Sequence, residues 1–391
     1  PVNWMLKGEE IRYIIDHSEA KAFFVEDALI RSVAGIKDAL KTVRTFRAIP
    51  LTGTEIPEGW MNIEDLWREF YPVTEPEVEI NHHDVATLLY TSGTEAAPKG
   101  VMNTHMNFVS TIPSALADTL IRRDEVMLGG IPLYHVAGMW MFTACTALGA
   151  LTLLEYLPDL KEVLELTQEE KVTRWCWPTT VYINLPNLPG FETYDLASLR
   201  VCQLFGSPAP PALLDRWRQI VPGMIFMNSY GQTEMTVAIA VWPWVEPKPG
   251  SMGMPAPGYD IDLLDEEGKS CEVGEKGQIV VRTERRTPVG MFHGYYRDPA
   301  LTKSVWHDGV YGTGDVAWRD EDGYLWFVGR TDDVIKSSGY RIGPFEVESA
   351  LLEHRAVLEA AVIGKPDALR GQIVKACVVL RPGIEGTDEL R

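Results

Sequence analysis

Apolar positions along this chain fall into two rhythms. The short runs KAFFVE (Lys21–Glu26), VATLLYT (Val85–Thr91), ALTLLE (Ala150–Glu155) and MIFMNSYG (Met224–Gly231) read as buried strands. Between them, GEEIRYIIDHSEA and LKEVLELTQEEK carry apolar residues at helical spacing. The alternation predicts an α/β fold, with a large domain of sheets covered by helices.

The pattern changes near Trp242. WPWVEPKPGSMGMPAPGYDIDLLDEEGK is rich in Pro and Gly, and short strands follow to Arg282. This predicts a β-rich subdomain at about 243–331, with DEEGK and DEDG as turns. A second boundary falls at GRTDDVIKSSGYRIG (Gly329–Gly343). Beyond it, PFEVESALLEHRAVLEAAVIG reads as helix then strand, and IVKACVVLRPG as strand again. The expected organisation is a large domain over 1–331 and the start of a small α+β domain over 332–391. GTDEL, just before Arg391, reads as the beginning of a helix, and the chain starts at Pro1. The small domain is therefore expected to be incomplete here, and the whole protein longer at both ends. No internal repeat or low-complexity tract is seen.

Composition narrows the function. With 36 basic and 55 acidic residues the net charge is −19, which argues against sequence-independent nucleic-acid binding. A single loop can still be locally positive and hold a nucleotide. The five cysteines (Cys145, Cys176, Cys202, Cys271, Cys377) show no metal-binding spacing and read as free thiols in a reducing, cytoplasmic setting. No run of eighteen apolar residues occurs, so no membrane span is expected.

Three segments carry chemistry. YTSGTEAAPKG (Tyr90–Gly100) follows a predicted strand; Thr91, Ser92 and Thr94 surround Gly93 with hydroxyls, and Lys99 adds a positive charge. Glycine lets backbone N–H groups turn towards an anion. The spacing fails the G-x-x-x-x-G-K-[ST] phosphate loop at two positions, so an ordinary Ser/Thr/Gly turn stays open. NSYGQTE (Asn228–Glu234), directly after a predicted strand, offers the Tyr230 ring for stacking, the Thr233 hydroxyl, and Glu234 as a hard oxygen ligand for Mg²⁺. The plain alternative is a strand-end turn with a solvated carboxylate. In VYGTGDVAWRDEDGYLWFVGRTDDVIKSSGYRIG, Asp315 suits the two hydroxyls of a ribose and Arg330 adds a charged donor. Here too a turn residue and a surface ion pair would explain them.

Taken in order, the segments resemble the AMP-forming acyl-CoA synthetases of the adenylate-forming superfamily. The first is similar to that family's TSGTTGxPKG, the second to YGxTE, and the third to its TGD…GRxDD…K…G-R…E-E run. The similarity extends over nearly the whole chain, including PLYHVAG and LFGSPAP. It implies an enzyme that activates a carboxylic acid with ATP, giving an acyl-adenylate and pyrophosphate, and then passes the acyl group to coenzyme A, releasing AMP. A carboxylate is a poor electrophile because its oxyanion leaves badly; the mixed anhydride with AMP supplies a good leaving group.

The resemblance also implies roles. Thr91, Ser92, Gly93, Thr94 and Lys99 would hold the β- and γ-phosphates of ATP. Gly206, Ser207 and Pro208 would line the adenine and acyl region. Asn228, Ser229, Tyr230, Gly231, Gln232 and Thr233 match the adenine and α-phosphate segment, and Glu234 the Mg²⁺ ligand. Asp315 and Arg330 match ribose contacts, and Arg341 a phosphate-facing arginine. Ser338 and Gly339 lie where the small domain meets coenzyme A. Asp332 matches the hinge about which that domain rotates, a task for a few backbone dihedrals; it would also cap a helix over VIKSSG. His135 matches an aromatic position on the way to the acyl pocket, a positioning or gating residue, since the ionised substrate needs no general base. Trp140, Trp175 and Trp177 would line an acyl tunnel or sit in the core. His82 and His83 read as solvated loop residues. The partners implied are a small-molecule acid, ATP and CoA, with a homodimer among the assemblies allowed.

Two departures stand out. Glu95-Ala96 replace the family's Thr-Gly, placing a carboxylate that would repel a triphosphate by about 1–4 kcal/mol within a few ångströms. The family's catalytic lysine lies beyond the last residue of this sequence. GYYRDPALTKSVWHDGVYGTGD and GYRIGPFEVESAL are similar to medium- and long-chain fatty acyl members, implying a fatty or other hydrophobic acid. The rival expectations are a relative that loads a carrier protein, and a nucleotide-binding homologue with impaired catalysis acting as a regulator or scaffold.

Overall fold

The structure, a computed structural model, describes residues 1–70, 74–75, 77–91, 97–110, 112, 120–154, 159–206, 209–338, 340–352, 354, 356–367, 369–381, 383–387 and 390. The side chains of Phe70 and Arg341 lie outside the description as well.

The chain is mixed α/β, and all four predicted strands form: Ala22–Glu26, Val85–Thr91, Leu151–Leu154 and Ile225–Gln232. Both helical patterns fold as helices, at Gly8–His17 and Leu160–Glu169. The largest sheet has seven strands. Five run parallel, in the spatial order Leu151–Leu154, Val126–Gly129, Arg174–Pro178, Val201–Phe205, Ile225–Gln232. Two antiparallel strands, Met235–Ala240 and Met254–Pro255, extend the last of them.

Apolar side chains on both faces of the parallel strands explain why helices cover both sides. On one face Trp175, Trp177, Cys202 and Leu204 pack with Leu164, Tyr182 and Trp217 from the flanking helices. On the other, Met127, Cys176 and Phe205 meet Trp140, Met141 and Ala144 of the helix Val136–Leu148. That helix ends where Gly149 adopts φ +72°, a left-handed cap glycine takes without a Cβ penalty. Trp175 and Trp177 are thus core residues.

A five-stranded sheet over Ile261–Arg330 makes the β-rich part, and its central strand Val310–Arg319 pairs with both Lys276–Arg282 and Leu325–Arg330. A separate parallel sheet, Ala22–Glu26, Thr45–Ile49 and Met61–Asn62, carries the helix Gly8–His17. Val85–Thr91 and Lys99–Thr104 form an antiparallel pair of their own. The small domain has the sheet order Tyr340–Ile342, Ile335–Ser337, Gly371–Leu380, Val357–Asp367, with the helix Pro344–Leu352 beside it. It approaches the large domain closely: a Cβ on Gly343 would collide with the Val328 carbonyl.

Two local expectations need correction. VIKSSG does not begin a helix for Asp332 to cap; Ile335–Ser337 is a strand, paired with both Tyr340–Ile342 and Gly371–Leu380, so ladder hydrogen bonds replace the helical ones. Gly386 and Thr387 take no helical form, while Asp388 and Glu389 of the same segment lie outside the described residues.

Candidate active site

Parallel strands bring their carboxyl ends to one edge, where loops leave a crevice that ligands can fill. Here Gly130, Pro178, Phe205, Gly206 and Asn228–Thr233, all at such ends, line a single cleft of about 920 Å³. The helix Val136–Leu148 adds Val136, Ala137, Trp140 and Met141, the β-rich part adds Asp315, Phe327 and Arg330, and the small domain adds Phe345, Glu348, Val362 and Ile363. Gly130 lies against the Trp177 ring so closely that any Cβ would strike it. Gly206, at φ +84°, turns the chain off its strand.

NSYGQTE does not follow its strand. Asn228 to Gln232 are strand residues, because the antiparallel partner prolongs the ladder through Ser229–Ala240 and Tyr230–Ile239; only Thr233 and Glu234 make the turn. Asp315 likewise sits in mid-strand, opposite Arg330.

The polar end of the cleft is built around Asp315. Its Oδ2 accepts from the Tyr230 hydroxyl at 2.6 Å and from Gln232 Nε2 at 2.7 Å, while Oδ1 faces Arg330 Nη1 at 3.7 Å. Gln232 is fully used: Nε2 also donates to the Thr313 carbonyl at 2.8 Å, and Oε1 accepts from Tyr311 at 2.9 Å. It is a clamp on Asp315 rather than a free base-reading group. Tyr230 keeps its ring on the cleft wall with its hydroxyl tied down. Burial raises the Asp315 carboxyl above its usual range, against the lowering by Tyr230, Arg330 and Gln232. Burial, then the Asp315 charge, raises the Tyr230 phenol, so it remains a donor.

Thr91 and Lys99 face each other across the hairpin that encloses Ser92, Gly93, Thr94, Glu95 and Ala96, which lie outside the described residues. Lys99 Nζ stands 5.7 Å from the centre of the Tyr295 ring. Tyr295 in turn donates to Glu234 Oε1 at 2.7 Å. Lys99 and Glu234 are therefore joined through a residue to which the sequence reading assigned no role. What brings it there is pairing between distant segments: Met102 N–H donates to Gly294 O at 3.0 Å and Tyr296 N–H to Gly100 O at 2.7 Å. No local motif announces that register.

The remaining expectations distribute as follows. Asn228 Nδ2 donates to Ser251 O at 3.4 Å, and Ser229 Oγ accepts from Gln203 Nε2 at 3.2 Å. His135, exposed, precedes the helix Val136–Leu148 on the cleft wall, its ring 4.8 Å from that of Tyr134. Asp332 is exposed in the turn after Leu325–Arg330, 3.4 Å from Arg330 Nε. Ser338, at φ +49°, donates from its N–H to Arg370 O and stands apart from the cleft lining. His82 and His83 are exposed in a turn. Ser207, Pro208 and Gly339 lie outside the described residues, as does the Arg341 side chain. Among the described residues no cluster of three ligating side chains could hold a metal alone, and no helix is long and apolar enough to cross a membrane.

Comparison with known proteins gives the setting. Residues 1–296 match the model of the AMP-binding enzyme family, and residues 346–391 that of the AMP-binding enzyme C-terminal domain. The chain is 33% identical over 396 residues to the mitochondrial acyl-coenzyme A synthetase ACSM3 of Mus musculus, covering 100% of this chain and 67% of that protein. It is 35% identical over 395 residues to an uncharacterized acyl–CoA ligase, YtcI, of Bacillus subtilis (strain 168), covering 100% of this chain and 72% of that protein. This chain thus spans about two thirds of the length of these relatives. Among solved structures, the anthranilate CoA ligase AuaEII in complex with anthranoyl-AMP matches with a TM-score of 0.90 at 28% identity, over 98% of this chain and 73% of that one.

Proposed function

This chain belongs to the AMP-binding enzymes, as an AMP-forming acyl-CoA synthetase of the adenylate-forming superfamily, and from that premise we propose how its cleft divides the reaction. It is an acid–thiol ligase: ATP converts a carboxylic acid to an acyl-adenylate, and the acyl group then passes to coenzyme A.

We assign the nucleotide to the polar end. Asp315 Oδ1 and Arg330 take the ribose hydroxyls, and the Tyr230 ring, immobilised through its hydroxyl, flanks the base. Thr91 and Lys99, with Ser92, Gly93 and Thr94 between them, hold the β- and γ-phosphates. Gly206, Ser207 and Pro208 border adenine and acid, and Arg341 turns to phosphate. Magnesium fits Glu234, since Mg²⁺ is held by one or two carboxylates together with substrate phosphates and needs no all-protein cage. When bound it would neutralise phosphate charge as pyrophosphate leaves.

We assign the acid to the apolar arm between the parallel sheet and the helix Val136–Leu148, where Trp140, Met141, Cys176 and Phe205 make a hydrophobic wall. A fatty or other hydrophobic acid suits that wall, and His135 orients it from the helix start. The hinge is assigned to Asp332, dividing 1–331 from 332–391, with Ser338 and Gly339 towards coenzyme A. We further assign the enzyme to the cytoplasm, with a homodimer as the assembly to test by light scattering.

The observation that carries this reading is that one cleft joins Asp315, Arg330 and Asn228–Thr233 to the wall of Trp140 and Met141. The similarity to a ligase crystallised with anthranoyl-AMP supports an adenylate there. The test is carboxylate-dependent ATP–pyrophosphate exchange by the full-length protein over a panel of acids, followed by CoA consumption. Exchange with hydrophobic acids and loss of CoA are expected. AMP binding with no acid supporting exchange would favour the regulatory homologue, and transfer to a carrier protein but not to CoA would favour the loading enzyme.

A further inference from the structure

Two ion pairs cross from the small domain to the large one, and the chemistry of the cleft uses neither. Lys276 opens the strand Lys276–Arg282 of the β-rich part, and its Nζ lies 3.0 Å from each carboxylate oxygen of Glu346, near the start of the helix Pro344–Leu352. Lys336 Nζ, on the strand Ile335–Ser337, stands 3.7 Å from Glu266 Oε1 in the turn DEEGK. Each domain thus gives one lysine and one glutamate. Charges arranged in this way fix register as well as attraction, because a slide that brings lysine to lysine is repelled.

Exposed ion pairs usually contribute little, since two long side chains must be immobilised to form them. Here one of the two is already held. Glu346 Oε2 also accepts from the Gly343 N–H at 3.2 Å, and Gly343 is wedged against the Val328 carbonyl, which a Cβ would strike. Phe345, between them, meets Phe327 of the large domain edge-on at 6.0 Å. The domain contact therefore presents the Glu346 carboxylate to Lys276, whose side chain is only 30% exposed. A pair of this kind does not decide whether either domain folds. It decides which of two orientations a folded domain prefers, because a small free-energy difference changes such populations severalfold.

In the orientation seen, Phe345, Glu348, Val362 and Ile363 close the cleft, while Ser338 stands apart from it. Neither Lys276 nor Glu346 lines the cleft. Resting on the reading above, which gives Ser338 to the coenzyme A side and the hinge to Asp332, we propose that Lys276 and Glu346, supported by Lys336 and Glu266, latch the small domain in its adenylation orientation. The pairs part before the domain turns to thioester formation. The latch thereby sets the partition between the two half-reactions, as a positioning device outside the chemistry.

The experiment uses the full-length protein and an acid that supports exchange. Two rates are read: acid-dependent ATP–pyrophosphate exchange, and single-turnover transfer to CoA of the acyl group from adenylate formed on the enzyme. Lys276→Gln should lower the ratio of exchange to transfer by about two- to fivefold with little change in Tm, the size expected of an exposed pair. Glu346→Gln, which can still accept from Gly343, is the second variant and should shift the ratio the same way. The double variant should go no further than the larger single effect, since all three break one pair. Added salt should move the wild-type ratio more than that of Lys276→Gln. An unchanged ratio in both folded variants overturns the proposal, as does an equal fall in the two half-reactions, which marks a general support. A ratio that rises overturns the assignment of this orientation to adenylation. A wild type that shows no exchange with any acid defeats the underlying reading of the cleft, and the latch with it.

Discussion

The hydroxyl of Tyr295 donates to Glu234 Oε1 at 2.7 Å. Its ring simultaneously lies 5.7 Å from Lys99 Nζ, within the range of a cation–π contact. Burial, reinforced by the Glu234 charge, raises the Tyr295 phenol well above its ordinary value, so it stays a donor at any working pH. One residue thereby fixes the proposed metal-binding carboxylate and shelters the proposed phosphate-binding lysine.

Tyr295→Phe removes the hydroxyl and leaves the ring. Hydrogen bonds to charged groups contribute about 1.5–3 kcal/mol, so MgATP-dependent exchange should fall by roughly 10- to 100-fold. A magnesium titration should move to higher concentration, since Glu234 is left free to wander. An unchanged magnesium profile in the phenylalanine variant would remove Glu234 from the metal role.

This arrangement marks where sequence reading stops. The strands KAFFVE, VATLLYT, ALTLLE and MIFMNSYG were legible because a strand needs only a local apolar run between turn signals; their burial was not, since Leu151 and Leu154 lie on a sheet-edge strand and are 50% and 53% exposed. Asp315, Arg330 and NSYGQTE were legible as chemistry because their residue types suit a nucleotide. What could not be read is which polar groups hold one another. Gln232 looks like a base-reading amide in the sequence, and three-dimensional pairing gives it to Thr313, Asp315 and Tyr311. Tyr295 reaches Glu234 because the segment that carries it bonds both to Glu234 itself, through the Phe292 N–H, and to the strand Lys99–Thr104. Asp332 resembled a helix cap because VIKSSG shows no strand alternation of its own; Ile335–Ser337 becomes a strand by pairing with Tyr340–Ile342 and, at Ser337, with the distant Gly371.

Asp315 gives a prediction with two readouts. Asp315→Asn keeps the shape and can still accept from Tyr230, while the charged acceptor proposed for ribose is lost. The KM for ATP should rise by about 10- to 100-fold. The folded-state carboxyl titrates above its unfolded value because burial penalises the charge. Its contribution to stability is therefore fully present below the unfolded pKa and is lost as pH rises through the folded one. The asparagine variant escapes that loss. Calorimetry should find the variant's Tm, relative to wild type, higher at pH 7 than at pH 4. A relative Tm independent of pH would mean that Asp315 is not held above its usual range.

His17 is tied to the root of the hairpin proposed to hold phosphate. Its Nδ1 lies 2.8 Å from the Tyr90 hydroxyl, and its ring meets Tyr90 and Tyr296 edge-on at 5.7 and 5.6 Å. Tyr90 pairs across the hairpin with Gly100, one step from the Thr91–Lys99 pair. Loss of this contact, worth about 0.5–1.5 kcal/mol, should raise the KM for ATP by roughly 2- to 12-fold in His17→Ala and leave the KM for the acid where it was. Burial, then Arg297, holds the imidazole below its usual pKa, while Asp298 opposes them. The neutral form is thus favoured in the fold, and its stabilising contribution is lost as pH falls below the unfolded value. Wild type should therefore lose more stability than His17→Ala between neutral and mildly acidic pH. Equal rises in both KM values would make His17 a general support instead.

The opposite end of the parallel strands should behave differently. Glu125, Arg174 and Arg200 stand at or just before the amino ends of three adjacent strands, away from the cleft. Glu125 Oε2 accepts from Arg174 Nε at 2.6 Å and Oε1 from Arg200 Nη2 at 3.3 Å; Glu125 is 3% exposed and Arg174 fully buried. Removing one partner of a buried pair strands the other charge, at a cost of about 3–5 kcal/mol. Glu125→Ala should therefore lower the denaturation midpoint sharply, whereas Glu125→Gln, which still accepts, should lower it less. Neither change touches the cleft. The fraction that remains folded should keep its KM for ATP within about twofold, the range expected when no interaction with the transition state is removed. Denaturant titration paired with exchange kinetics on the same sample reads both quantities. A raised KM for ATP with stability intact would mean that the strand ends transmit to the proposed nucleotide site, contrary to the separation seen in the fold.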